Sequence, residues 1–78
     1  MEIKQDVINS LKRYVDQRIP TGGFLQSVLE NDLMMAFGRA DIENRNSLFE
    51  IASYIYNELP ASCHGSPVIV QEWLKGRQ

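Results

Sequence analysis

An all-α fold follows from three features of this 78-residue sequence. Apolar residues recur at spacings of three and four, residues that stop and start helices separate the periodic runs, and no β-alternation of useful length appears. The pattern predicts a compact bundle of three main helices plus a short C-terminal helix, over residues about 2–18, 22–39, 42–59 and 67–75. A chain of this length forms a single small helical domain, residues 1–78.

The first helix begins near Glu2 and carries Ile3, Val7, Leu11 and Val15 at steps of four, flanked by Ile8 and Tyr14. That stripe is amphipathic, with polar residues opposite. Pro20 ends the segment, because the residue before a proline is pushed out of helical geometry. Thr21 then serves as N-cap of a second helix running to about Arg39. The third starts at the N-cap Asp41, with Glu43 in the favourable first turn, and stops before Pro60. Its core face is Leu48, Ile51, Ala52, Ile55 and Leu59, with Phe49 and Tyr56 on the flanks. After the loop of residues 60–65, Ser66 caps and Pro67 opens a short last helix that points Val70, Trp73 and Leu74 inward.

The second helix is not an ordinary amphipath. At 100° per residue, Leu25, Leu29, Leu33, Ala36, Phe37 and Ala40 share one side, and Phe24, Val28 and Met35 form a second stripe. The joint apolar arc spans roughly 220°, against about 100° for a surface helix. Such a helix is central, either wrapped by its neighbours or sharing one stripe with a second subunit. Asp32 and Arg39 fall within that arc, and Arg45 falls near Ala52 and Tyr56 on the inner side of the third helix. A carboxylate in apolar surroundings is costly unless paired. Asp32 is therefore expected to meet an arginine or a run of backbone N–H groups, with Asp32, Arg39 and Arg45 as a candidate buried polar network, within one chain or between subunits, and exposure at a frayed edge as the remaining option.

Composition narrows the function classes. The net charge is −2, and residues 30–58 hold most of the acidity, at −4. No dense basic stripe exists to capture nucleic acid or an anionic membrane, so nucleic-acid and membrane partners are not expected. With one cysteine there is no intrachain disulfide. The N-terminus lacks a signal-peptide pattern and no apolar run reaches spanning length, which reads as cytoplasmic. A domain this small buries only about 60% of its unfolded surface, so self-association would be a natural supplement.

Few residues suggest chemistry. Thr21-Gly22-Gly23 at a helix start leaves backbone N–H groups open to an anion, a partner's acid or a phosphate. Without Walker or dinucleotide spacing, the plainer reading is that the glycines permit close packing. Cys63-His64 offers two metal-type ligands where structural zinc takes four and catalytic zinc three. Glu30 and Asp32 point apart on a helix, and Asp41 with Glu43 is explained by capping. No catalytic residue, metal or cofactor is expected, and the chain does not read as an enzyme. Met34, Tyr54 and Trp73 are less committed to the core, and Met and aromatic residues are enriched in interface anchors.

Taken together, "IPTGGFLQSVLENDL", "AFGRAD", "YIYNELP" and "CHGSPVIVQEWLK" make the chain similar to a group of small uncharacterised proteins from tailed phages, prophages and other mobile elements. The resemblance covers nearly the whole chain. His64 stands where an aromatic is common in the group, and Val68-Ile69 where charged residues are usual. No activity or catalytic residue is established for the group, so none is carried over from it. The leading expectation is a non-enzymatic accessory protein that acts by binding protein. The resemblance implies a phage or mobile-element origin with a host or defence component as target, and the wide apolar arc of the second helix adds a second copy in a homodimer as an option. Two alternatives remain at this stage. One is a binder of small anions such as phosphates or nucleotides, using Thr21-Gly22-Gly23 with Arg18 or Arg39. The weaker one is a DNA-binding regulator, against which the acidic central helices argue.

Overall fold

The computed structural model describes residues 3–76, and these are all-α. Six α-helices follow in order: α1 (Gln5–Gln17), α2 (Gly23–Leu29), α3 (Leu33–Arg39), α4 (Ile42–Asn46), α5 (Leu48–Glu58) and α6 (Pro67–Lys75). A 3-10 turn over Ala61–Cys63 joins the last two, and no strand occurs among the described residues. Glu2, assigned to the first helix by the sequence pattern, lies outside the described residues.

α1 buries Val7, Leu11 and Tyr14, while Val15 sits at the edge of the core. The inner face thus turns toward Tyr14 in the last turn. The helix closes at Arg18, whose left-handed backbone (φ 56°) lets its N–H reach the Tyr14 carbonyl at 3.0 Å. A non-glycine residue in that region is strained. Contacts of the Arg18 side chain, described below, hold it there.

The helix expected over residues 22–39 is two helices, and the reason is local. Asn31 takes the left-handed conformation (φ 64°), which asparagine tolerates better than most residues. The Asp32 N–H then bonds the Ser27 carbonyl at 2.9 Å and the Asn31 N–H bonds Val28 at 3.0 Å. That pair of bonds is a Schellman ending, which closes α2. Asp32 immediately restarts the chain as N-cap of α3, its carboxylate accepting from the Met35 N–H at 3.2 Å. α3 runs back along α2, and Arg39 at its end reaches the Gly23 carbonyl (3.4 Å) and the Ser27 hydroxyl (3.1 Å).

The helix expected over 42–59 also divides. Asp41 caps α4 as the sequence indicates, accepting from Asn44 N–H at 2.8 Å. Ser47 (φ −104°, ψ 8°) leaves helical geometry, so α4 is a single turn and α5 starts afresh. Lys4, just before α1, bridges to Asp41 (3.7 Å) and Glu43 (3.1 Å) and anchors that turn. The hydrogen bond to Glu43 raises the Lys4 pKa, and the backbone bond from Asn44 lowers that of Asp41. Both groups are exposed enough for solvent to screen the pair.

The core draws on every helix except α4. Leu11, Tyr14, Leu29, Ala36, Ile51, Cys63 and Val70 are almost wholly out of solvent. Ser66 caps α6 by accepting from Ile69 N–H at 3.2 Å, with Pro67 in the first turn, as the sequence predicts. The Gly65 N–H meets the Leu29 carbonyl at 2.7 Å, giving a partner to a carbonyl at the end of α2. Gly65 itself has φ +128°, a conformation open in practice only to glycine.

Candidate functional site

α3 reverses the usual order of an amphipathic helix. Its sequence is Leu-Met-Met-Ala-Phe-Gly-Arg, and Ala36 is its one buried residue. Met34 is 86% exposed, Phe37 52%, Met35 46% and Leu33 45%. Met34 was expected to stand clear of the core, and it does. Leu33 and Phe37 were expected on an arc either wrapped by neighbouring helices or shared with a second subunit; the neighbouring helices do not wrap them. The break at Asn31 explains the change: two helices joined by a turn need not continue one angular phase, so the wide apolar arc is shared between a buried α2 and an outward α3. The guanidinium of Arg45 lies 5.1 Å from the centre of the Phe37 ring and donates to the Ala40 carbonyl at 3.5 Å.

Beside α3 lies a concavity of about 370 Å³. Its walls include Leu33 of α3, Val28 and Leu29 of α2, Ile55 and Tyr56 of α5, and His64 of the last loop. Tyr56 is 79% exposed and stands at its edge. Leu33 belongs both to this cleft and to the exposed surface of α3, so ridge and cleft are continuous. His64 Nε2 is closed off from solvent and has no hydrogen-bond partner.

The other residues singled out from the sequence are placed as follows. Asp32, Arg39 and Arg45 do not form a buried network; all three are exposed. Asp32 is spent on capping, Arg39 on the backbone and hydroxyl of α2, and Arg45 on Phe37 and Ala40. Thr21-Gly22-Gly23 does begin a helix, but close packing does not account for its glycines. A Cβ on Gly22 would meet nothing within 4 Å, and one on Gly23 would meet only the Arg39 side chain at ordinary contact distance. The N-cap of α2 is Gly22 rather than Thr21, and with no side-chain oxygen there the cap makes no side-chain bond; the Thr21 hydroxyl donates instead to the Gly22 carbonyl at 3.2 Å. Tyr54 packs at the edge of the core and lines a shallow groove with Ile3, Ile8, Phe49 and Glu50.

Trp73 belongs to the interior framework rather than to a free surface. Its indole N–H donates to the Tyr14 carbonyl at 2.9 Å, and the Arg18 guanidinium covers its ring at 3.7 Å. Arg18 also donates to the Trp73 carbonyl at 3.0 Å. Below this pair, the Tyr14 hydroxyl donates to the Cys63 carbonyl at 2.7 Å. Burial raises the Tyr14 phenol well above its ordinary range and pushes the Cys63 thiol up to about 11. A buried thiol of that kind is inert as a nucleophile at neutral pH.

Among the described residues, no three His, Cys, Asp or Glu side chains gather closely enough to hold a metal ion. Nor is any described helix long and apolar enough to cross a membrane. In comparisons with known proteins, no family model, no curated protein and no solved structure matches the chain.

Proposed function

We propose that this chain is a non-enzymatic protein-binding module whose contact surface is the outward face of α3 with the adjoining cleft. The observation that carries the proposal is the exposure of four large apolar side chains in one seven-residue helix. Single exposed apolar residues are normal, whereas a contiguous group marks an interaction surface. The cleft at its edge supplies a concave apolar seat for an anchor residue of the kind that dominates binding energy. The resemblance to phage and mobile-element proteins supplies the proposed setting: an accessory protein in the bacterial cytoplasm acting on a host or defence component, or on itself.

The anion-binding alternative has less behind it. It needs Arg18 or Arg39 near the Thr21-Gly22-Gly23 helix start. Arg18 is engaged on Trp73, and Arg39 is engaged on Gly23 and Ser27. α2 has only seven residues, too few to build a strong terminal dipole.

Affinity capture from host lysates, with wild type beside a Met34→Glu/Phe37→Gln double variant, tests the proposal. A protein retained by the wild type and lost with the folded double variant is the expected result. Capture that the double variant leaves intact would move the binding surface away from α3. Absence of any captured protein, together with a strictly monomeric chain, would remove the proposal altogether.

A further inference from the structure

The polar face of α5 is built without partners. Glu50, Ser53, Tyr54, Asn57 and Glu58 recur at alternating steps of three and one, which places them on one side of the helix. Among the described residues, none of these five side chains makes a hydrogen bond or ion pair. Glu50 is the sharpest case: its Oε1 is closed off from solvent and meets no donor. A carboxylate oxygen withdrawn from water without a donor costs free energy. Packing within the chain does not offset that cost, because no described cation reaches it.

The five side chains line a shallow groove of about 620 Å³ together with the start of α1. Ile3 and Ile8 supply its apolar wall, and Phe49, 77% exposed, stands out at its edge. No lysine or arginine lines it. Lys4, beside Ile3 in the chain, is committed to Asp41 and Glu43. The groove thus holds two carboxylates, which only accept, and neutral groups that can do either. What it lacks is a cation rich in N–H donors.

Spacing and surroundings narrow that cation. Glu50 and Glu58 lie about 12 Å apart along the helix axis, so one point charge does not satisfy both. Arginine suits the site better than lysine. Its guanidinium forks onto a carboxylate with two parallel bonds, is weakly hydrated, and lies flat on an aromatic ring such as that of Phe49. Ile3 and Ile8 would cover the methylene stem. The −4 charge of residues 30–58 attracts such a segment from a distance.

We infer that the groove between α1 and α5 docks a basic segment of a partner protein, with two arginines about 12 Å apart, one on Glu50 and one on Glu58, and an apolar residue between them. The groove shares no residue with the outward face of α3 or its cleft, so it is a second contact surface that stands or falls separately.

Nitrogen-15 NMR titration of the full chain tests the docking. The probe is a blocked alanine-based helical peptide with two arginines two turns apart and a leucine between them. Amide shifts should centre on Ile8, Phe49, Ser53 and Asn57, and should fade as salt rises from about 20 to about 300 mM. A Glu50→Gln/Glu58→Gln double variant should bind at least about tenfold more weakly. Its melting temperature should stay within about 2 °C of wild type, because the change deletes no partnered interaction. A groove that stays silent at millimolar peptide overturns the inference. So does equal binding of the same peptide with glutamates in place of the arginines, or an affinity that the double variant leaves unchanged. Spermidine binding as tightly as the arginine peptide would make the occupant a small polyamine and overturns it too. If the groove is silent while the α3 variants still lose a captured protein, only this inference fails and the first surface stands.

Discussion

The corner where α1 meets the C-terminal segment and the outward face of α3 are built from similar residue types and put to opposite use. At the corner, Tyr14, Arg18, Cys63 and Trp73 interlock: hydroxyl to carbonyl, indole to carbonyl, and guanidinium over ring and onto backbone. The polar atoms that turn inward there have partners, and the rings are shielded. On α3, Leu33, Met34, Met35 and Phe37 have no such enclosure. Hydrophobicity alone does not separate a structural residue from a contact residue. What separates them is whether the neighbouring backbone places a partner over the side chain.

The largest effect should come from the corner. Trp73→Ala removes ring packing, the bond to Tyr14 and the surface on which Arg18 lies, and should destabilise by about 3 kcal/mol, the lower end for losing a large aromatic. In a domain holding only several kcal/mol in all, that shifts much of the population toward unfolding, which urea titration followed by far-UV circular dichroism would read. A cost below about 1 kcal/mol would mean the corner is peripheral. Tyr14→Phe keeps the ring and deletes only the buried hydroxyl. It should cost about 1–2 kcal/mol, because the Cys63 carbonyl then lacks its donor.

The same corner sets the alkaline limit of the fold. The Cys63 pKa is raised from 9.0 to about 11 by burial, and Tyr14 is raised from 10.0 in the same sense. The unfolded chain therefore releases these protons first, and stability falls as pH rises. The contribution is complete below about pH 9, where the unfolded thiol is still protonated, and declines as pH climbs toward the folded thiol's value of about 11. Tyr14 adds to the decline above pH 10. Melting temperatures at pH 8, 9 and 10.5 should drop progressively, and Tyr14→Phe should flatten the upper part of that slope.

The smallest effect belongs to α3. Phe37→Gln should cost about 1 kcal/mol, less than either change at the buried corner. The ring is already half in water, and what the substitution removes is its covered half and the contact with the Arg45 guanidinium. A loss of 2 kcal/mol on denaturant titration would mean that this face is core after all, and would erase the contrast with the corner.

The pattern of residues carried the helical class, the caps at Asp41 and Ser66, and the inner positions Val7, Leu11, Ile51, Ile55 and Val70. These depend on neighbours within one turn or on one helical face, so a local reading reaches them. It missed the split at Asn31, although a signal was present: Glu30-Asn31-Asp32 sets a residue tolerant of left-handed backbone directly before a strong N-cap. Reading straight through that triplet put Asp32, Arg39 and Phe37 on one continuous apolar arc. Trp73 was read both as inward-facing and as a contact candidate, and its own helix could not decide between them, because its partners Tyr14 and Arg18 lie more than fifty residues away.

By itself, then, the sequence determined that the chain is helical, where most of its helices start and stop, and which stripe of each long helix is apolar. Those properties follow from backbone sterics, capping and the 3.6-residue period, all short in range. The tertiary structure decided which apolar residues are covered. Burial depends on how α2 turns back into α3 and on which distant segment reaches Tyr14, and neither is encoded within a single helical turn.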